Sequence, residues 1–505
     1  MNKSMKICLL LQRRFARVGH ALAVNIKRER PETKFCAYVG LRSNLSWLST
    51  QKDIAYTGLI LDEDIYASYK NEKLDYEYLN MLEREYGLPN LWPYLYLDRV
   101  IMNGQLLRAY PYDKPTMNRE DMLRVLQVTA KKIELFLEKE KPDAIVMTAL
   151  ANLGTLLLYQ MGKKMGVKTL TIEGARIKNY ALLSEDYRTF TGVNKIFENT
   201  LSGEQIPKRL IEAREFIKEF RQKPAPYHKE LSPEYNKQKS LTDQIRFLKP
   251  ENLIKSIIWH SKSLYEYLAR KDRDYTDENP LWLVWDKIKR KTRNVIGYRD
   301  LYSPFDPAVP YTFFALHYEP EMALMLRAPL YAEQLAVIKQ IARALPIDHI
   351  LYVKEHPMMI GYRTREFYKE MLKVPNVRLL DPLTPGPTVV KNAKLIVTIN
   401  GTSAWEAILL KIPVISFGDV YYNKLSFVKR CHSYEELARL VKEQLENFKH
   451  NERELELFVN ALIEDSVQTN IGDLWTKNYS LQEIVEDESL RGFARLIVSK
   501  VYGNR

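Results

Sequence analysis

The stretch LIVTINGTSAWEAILLKIPVISFG, residues 395–418, decides the fold class. KLIVTI (394–399) is a short apolar run rich in β-branched residues, which predicts a buried strand. TSAWEAILLK (402–411) reads as a helix, and PVISFG (413–418) is a second strand. Strand, turn, helix and strand fit in about 25 residues, the length of a compact βαβ unit, and such units build parallel sheets. At the turn, Asn400-Gly401, Thr402 or Ser403 is expected to cap the helix, with Glu406 closing a capping box. Backbone N–H groups at such a helix start, beside a glycine and two hydroxyls, suit a phosphate. A plainly capped helix explains the same residues equally well.

The preceding strand, in HILYVKEHP (349–357), ends in Lys354-Glu355-His356-Pro357. Two residues apart on an extended chain, Lys354 and His356 should share one face, with Glu355 on the other. Lys354 would supply a point charge, His356 a hydrogen bond to a phosphate or nucleotide, and Pro357 a fixed backbone. Alone, a His-Pro pair is more often structural; a second strand end of phosphate-binding character in the same sheet shifts the balance. TFFALHY (312–318) is another strand, and it leaves His317 and Glu321, and less directly Glu319, at its exit. Helices are expected over Ala332–Leu345 and Arg365–Leu372, with a strand over NVRLL (376–380). Helices over Ser433–Glu446 and Glu452–Asp465 are the last elements expected.

The first part of the chain alternates in the same way. MKICLLL and FCAYVGL (35–41) read as strands around a helix over Phe15–Arg30, and a long helix follows over about 119–140. Strand DAIVMT (143–148), a helix over 152–165 and strand VKTLTIEG (167–174) come next; the Tyr-rich residues 51–120 give no assignment. Ile145–Gly162 is apolar enough to resemble a membrane span. Asn152, Gly154 and Gln160 interrupt it, so it reads as strand, loop and helix. Glu173, at a strand end beside Gly174, has the character of a general base, and Arg176 could pair with an anionic substrate or with Glu173.

With 505 residues, two or three domains are expected. Cys8, Cys36 and Cys431 are far apart, which argues against a disulfide framework or a structural zinc site and fits a reducing compartment. The N-terminal apolar run is too short for a signal h-region. The net charge of +13 suggests an anionic partner, and between Pro207 and Asp300 Lys and Arg outnumber Asp and Glu by 22 to 14. That stretch has helical periodicity (Gln205–Gln222, Leu241–Leu268, Leu281–Arg293) with aromatic and basic residues interleaved, as in IIWHSKSLYEYLARK and LWLVWDKIKRK. Such a surface can rest on an anionic membrane, or it can be a packed helical insert with a solvated basic face. Asp62-Glu63-Asp64 matches the DxD of metal-dependent transferases only superficially, and no metal site is expected. HExxH, P-loop, GxSxG and GxGxxG signatures are missing, which removes metalloprotease, P-loop NTPase, hydrolase and typical dehydrogenase readings.

These residues resemble the capsule polysaccharide synthesis family of bacterial glycosyltransferases, whose members include Kdo transferases. The likeness is clearest over Thr312–Gly418, in FALHYEPE, LYVKEHP, NVRLLDP and the NGTSAWEAILLKIPVISFG run, and weaker over Lys141–Glu185 with TIEGARI. It implies an α/β fold of the GT-B type: two Rossmann-like domains facing a cleft, with a helical insert between them. The corresponding segments are 1–202 (acceptor domain), 203–305 (basic helical insert or linker), 306–430 (nucleotide-sugar domain) and 431–505 (C-terminal helices). The sequence is also similar to bacterial sialyltransferases, whose acidic-acidic-Gly, HP and Ser/Thr motifs imply Glu173 and His356 as catalytic residues. Here Ile172 replaces the first acid, so Glu173 could instead bind substrate.

Lys354, His356, Gly401, Thr402, Ser403 and Glu406 would hold the nucleotide, and Arg176, His317 and Glu321 the substrate. The implied protein is a metal-independent, cytoplasmic glycosyltransferase of surface polysaccharide, with peripheral contact at the inner membrane face as a further expectation. It would need no cofactor beyond a nucleotide-sugar donor, for which the resemblance implies a CMP-linked acidic sugar such as Kdo or a sialic-acid-like sugar, and would act on a glycan or glycolipid acceptor. Nucleic acid is not an expected partner. A UDP-sugar 2-epimerase and a non-catalytic polysaccharide export or assembly factor are the alternatives.

Overall fold

The computed structural model describes residues 4–86, 90–104, 110, 114–148, 150–225, 250–269 and 279–503. Contacts divide the chain into two units, Met1–Gly104 with Pro115–Ala213 and Leu457–Arg505, and Gln105–Lys114 with Arg214–Glu456.

In the first unit β1 (Lys6–Leu11), β2 (Lys34–Val39), β3 (Tyr56–Leu61), β4 (Ala144–Met147) and β5 (Lys168–Gly174) pair in parallel. β6 (Tyr180–Ser184) and β13 (Ser466–Gln468) extend the sheet by antiparallel pairing, giving the order β13-β6-β5-β4-β1-β2-β3. β1, β2 and β4 are buried over nearly their whole length because helices cover both faces, the usual reason for unbroken apolar strands. The Phe15–Glu29 helix packs on β1 and against the Leu481–Glu486 and Glu488–Tyr502 helices. Phe493, Ile497 and Val501 recur every four residues on the last helix and complete this core, so the end of the chain belongs to the first sheet.

β3 falls within the stretch that periodicity left unassigned, and for a local reason. It is an edge strand whose Thr57 and Leu59 are exposed. A Cβ on its Gly58 would lie 2.2 Å from an oxygen of Glu140, which pairs with Lys6 at 3.0 Å. That close approach requires glycine inside the strand.

In the second unit β7 (Tyr311–Ala315), β8 (Ile350–Lys354), β9 (Val377–Leu380), β10 (Leu395–Thr398), β11 (Val414–Ser416) and β12 (Val428–Arg430) form a parallel sheet of order β12-β11-β10-β7-β8-β9. Phe314, Leu351, Val353, Val397 and Ile415 face the helices Gln334–Ala344, Arg365–Leu372 and Tyr434–Glu446 through Val337, Ile341, Tyr368, Met371 and Leu437. The Thr402–Leu409 helix packs along β10 and β11. Both units are thus Rossmann-like α/β layers flanked by helices, the pair of domains that a GT-B-like chain contains. Helices also occupy Leu210–Gln222, Pro250–Ala269 and Pro280–Ile296; residues 241–249 of the helix expected from Leu241 lie outside the described residues. No described helix is long and apolar enough to cross a membrane.

Candidate functional site

The second sheet runs from β7 outward to β8 and β9, then returns to lay β10 on the other side of β7. Strand order therefore reverses between β7 and β10, and ligands of open parallel sheets bind outside the carboxyl ends of the strands at such a point. The exits of β7, β8 and β10 carry His317, Lys354-Glu355-His356 and Asn400-Gly401-Thr402-Ser403. Three adjacent strands thus bring together residues spread over more than eighty positions.

One guanidinium ties two of these exits. Arg363 is fully buried, donates to the main-chain oxygen of His317 at 2.8 Å, and pairs with Glu319 at 3.2 Å and with Glu355. Glu355 also accepts from the Tyr368 hydroxyl at 2.6 Å and from the His356 main-chain N–H at 2.5 Å. Gln334 clamps His317 from the helix side: its Oε1 accepts the His317 N–H at 2.7 Å, and its Nε2 donates to the His317 oxygen at 3.3 Å.

Glu355 follows Leu351 and Val353 on the face buried under helices, as the alternation predicts. Lys354 lies on the opposite face, with the Thr402–Leu409 helix, and burial lowers the pKa of its ammonium while Glu406 opposes the shift. Burial pushes the Glu406 carboxyl up to about 8, with Lys354 pulling the other way.

The expected capping box is not there. Gly401, extended at φ −75° and ψ 158°, is itself the N-cap, and no side chain caps the helix. A box joins the N-cap to the third helical residue. With Gly401 as N-cap that residue is Ala404, and Glu406 lies deeper, in the buried part of the helix.

The helix start is a polar cradle. The Gly401 N–H donates to Thr398 Oγ1 at 2.9 Å, and the Asn400 N–H donates to His317 Nε2 at 3.3 Å. Since Nε2 accepts, the neutral ring carries its proton on Nδ1. Burial, with His356 and Arg363 adding to it, lowers the His317 pKa to about 3 and keeps the ring neutral. A Cβ at Gly401 would fall 2.9 Å from Thr398 Oγ1, 3.4 Å from His317 Nε2 and 3.6 Å from Ser403 Oγ, so only a glycine leaves this space open. His317 Nδ1, Asn400 Oδ1 and Ser403 Oγ are buried there with no hydrogen-bond partner among the described residues. His356 is the N-cap of the short Pro357–Met359 turn: its Nδ1 accepts from the Met358 N–H at 3.2 Å, which assigns the proton of a neutral ring to Nε2.

The second unit therefore gathers His317, Lys354, His356, Gly401, Thr402, Ser403 and Glu406 around adjoining strand ends. Glu319 is a buried partner of Arg363, and Glu321 is exposed at the start of the Met322–Met325 turn. In the first unit, β5 ends at Gly174 as expected, with Glu173 its last residue but one, but the strand leads into a hairpin. β5 turns back through Arg176 and Lys178, at φ +61° and +42°, into β6, and Glu173 lies opposite Leu182 in that hairpin. Asp62 accepts from Tyr38 and, at 3.2 Å, from Asn152, while Asp64 pairs with Arg42 at 2.7 Å. Among the described residues no group of three or more His, Cys, Asp or Glu converges as a metal site would require.

Sequence reasoning missed Arg363, Gln334 and Tyr368. One signal pointed to a cation: Glu355 continues the register of Leu351 and Val353, and a carboxylate in a core register needs a charged or hydrogen-bonding partner.

The profile of a family described as capsule polysaccharide biosynthesis protein matches residues 305–451, which lie in the second unit and contain all of its cradle residues. No curated protein matches the chain. Among solved structures, the β-Kdo 2,7-transferase KpsC of Thermosulfurimonas dismutans is similar at 11% identity over 75% of this chain and 90% of that one, with a TM-score of 0.36. The β-Kdo 2,4-transferase of the same KpsC is similar at 13% identity over 73% and 96%, with a TM-score of 0.36. The UDP-GlcNAc 2-epimerase of Neisseria meningitidis, bound to UDP-GlcNAc, is similar at 11% identity over 99% and 100%, with a TM-score of 0.28. The chain is thus distantly similar to sugar-processing enzymes, transferases and epimerases alike, and likeness at this level assigns no residue.

Proposed function

We propose that the protein is a nucleotide-sugar enzyme, and that its second unit holds the nucleotide of the donor. The observation that carries this reading is the group of three buried polar atoms with no hydrogen-bond partner among the described residues, His317 Nδ1, Asn400 Oδ1 and Ser403 Oγ, around a helix start that no side chain caps. Buried polar groups are nearly always hydrogen-bonded, so a polar ligand is the natural complement. The helix N–H groups and the Nδ1–H donor favour an anionic one, a phosphate. Lys354 adds charge from the neighbouring strand, and His356 would contact the nucleotide.

The reaction we favour is glycosyl transfer in surface-polysaccharide synthesis, from a donor such as a CMP-linked acidic sugar. Glu173 would take the proton of an acceptor hydroxyl, whose oxygen attacks the anomeric carbon. The bond from that carbon to the phosphate oxygen breaks, and the negative charge leaves on the nucleotide. The cradle stabilises that charge without reorganising, the largest lever such a site has. Arg176 and Glu321 would contact the sugars.

The second reading is a UDP-sugar 2-epimerase. The cradle accounts for binding and releasing a nucleotide, and an enzyme that eliminates and re-adds UDP needs the same groups and no acceptor. A thermal-shift series with CMP, UDP, GDP and dTDP tests both. A ligand at a hundred times its Kd should stabilise by about 2.7 kcal/mol. Preference for CMP, with turnover only when acceptor is added, supports transfer; preference for UDP, with donor converted alone, supports epimerisation. No stabilisation by any nucleotide, with glycan production unchanged in His356→Ala and Glu173→Ala, refutes the enzyme reading.

A further inference from the structure

We infer that the helices Pro250–Ala269 and Pro280–Ile296 dock the protein on an anionic lipid bilayer. Both helices carry their apolar stripe on the wrong side for a core helix. On the first, Ile254, Ile257, Ile258, Tyr265 and Leu268 fall within roughly a 100° arc at 100° per residue, and on the second Leu281, Trp285, Ile288 and Ile296 do the same. These nine side chains are between 48% and 74% exposed.

The face of the second helix that holds it to its unit is polar instead. Arg290 donates to the Tyr362 hydroxyl at 3.1 Å, Arg293 donates to the main-chain oxygens of Tyr362 and, at 3.4 Å, Gly361, and the Asp286 oxygen accepts from Tyr110 at 2.8 Å. The two helices pack on each other, with Lys287 Nζ 4.7 Å from the centre of the Trp259 ring. A soluble helix turns its apolar stripe inward and its charges to water. Here the amphipathicity is inverted, so the stripe is built for something outside the unit.

Charge selects the occupant. The two helices carry seven Lys or Arg and three Asp or Glu, in a chain of net charge +13. A second copy would bring this basic face against itself, whereas an anionic bilayer offers opposite charge at its surface and hydrocarbon beneath. Lys255 and Lys262 flank the stripe of the first helix, where their stems can follow apolar surface while the ammonium groups reach headgroups. Trp285 and Tyr265 are of the type that settles at headgroup level. At about 30 and 25 Å the helices are long enough to lie along the surface, and neither can cross it.

This inference does not rest on the reading of the strand-end site, and either can fail without the other. The test is co-sedimentation of the full chain with vesicles of phosphatidylcholine, with and without phosphatidylglycerol, across a salt series. The wild type should bind the anionic vesicles, far less the neutral ones, and progressively less as salt rises. Ile254→Glu/Ile258→Glu and Trp285→Glu, all at exposed positions, should each lower partitioning about tenfold or more while leaving the thermal midpoint and nucleotide-induced stabilisation unchanged. Absence of binding to anionic vesicles, or equal binding by the variants, overturns the proposal. So does a wild-type dimer in analytical ultracentrifugation that these variants dissociate, because the stripe would then be an interface between copies.

Discussion

Replacing Arg363 by methionine removes the guanidinium that joins the exits of β7 and β8 while keeping a side chain of similar length in its place. Arg363 has no exposure, Glu355 is 2% and Glu319 7% exposed, so both carboxylates stay buried when their cation goes. Breaking a buried pair from one side costs about 3–5 kcal/mol, because the remaining charge is desolvated and uncompensated. The His317 main-chain oxygen loses a donor as well. Against a typical domain stability of about 5–15 kcal/mol, this is enough to open the strand ends locally.

Amide hydrogen exchange over β7 and β8 reads that opening directly. In Arg363→Met, protection should fall by roughly two to three and a half decades, the equivalent of 3–5 kcal/mol at 1.4 kcal/mol per decade. Adding Glu355→Gln should restore part of it, since an amide is far cheaper to bury than an unpaired carboxylate. Arg363→Lys should not rescue, because a single ammonium cannot reproduce a planar fork that bonds Glu355, Glu319 and the His317 oxygen together. The reasoning is refuted if Arg363→Met loses less than about tenfold protection, or if Glu355→Gln gives no recovery in the Arg363→Met background.

Three further outcomes are expected. His317, held neutral with a pKa near 3, binds fewer protons folded than unfolded between that value and its ordinary 6.5. Its contribution to stability is therefore present above about 6.5 and lost as pH falls toward 3, so urea midpoints should decline less on the acid side in His317→Gln than in the wild type. Glu406 has the opposite sign. Its folded pKa is raised from the usual 4.5 to about 8, so its contribution is fully present below the ordinary carboxylate range and lost as pH rises from there through 8; Glu406→Gln should flatten the decline of the same curves across that interval. In Gly401→Ala the backbone stays unstrained at φ −75°, but the new methyl enters the cradle 2.9 Å from Thr398 Oγ1. The variant should keep its thermal midpoint within a few degrees and lose about tenfold or more in nucleotide affinity by titration calorimetry.

Periodicity alone located most of the sheet strands to within three residues, the largest miss being β7, expected to run to Tyr318 and ending at Ala315. β1, β2, β4, β5, β7, β8, β9, β10 and β11 are short apolar runs separated by helical ones, and such runs can be buried only in a parallel sheet with helices on both faces. β3 and β6 escaped because their signals are not periodic: a glycine that makes room for Glu140, and a hairpin turned by two non-glycine residues at positive φ. The placement of Lys354 and Glu355 on opposite faces followed from the two-residue repeat of a strand, a local property that no later contact could alter.

The capping register of the 402–409 helix was not legible, since Gly401, Thr402 and Ser403 can each begin a helix and only the surrounding geometry selects one. Nor was the role of Arg363, whose partners Glu319 and Glu355 lie 44 and 8 residues before it and meet it only because β7 and β8 are neighbours. The same holds for the inverted helices. Their sequence shows an apolar stripe and a basic one, and both a core helix and a membrane-facing helix have that pattern. The sequence by itself determined which residues could form strands and helices and which chemistry each strand end could offer, because those depend on local spacing. Tertiary structure decided which strand ends stand side by side and which face of a helix is left outside, because both depend on contacts between residues far apart in the chain.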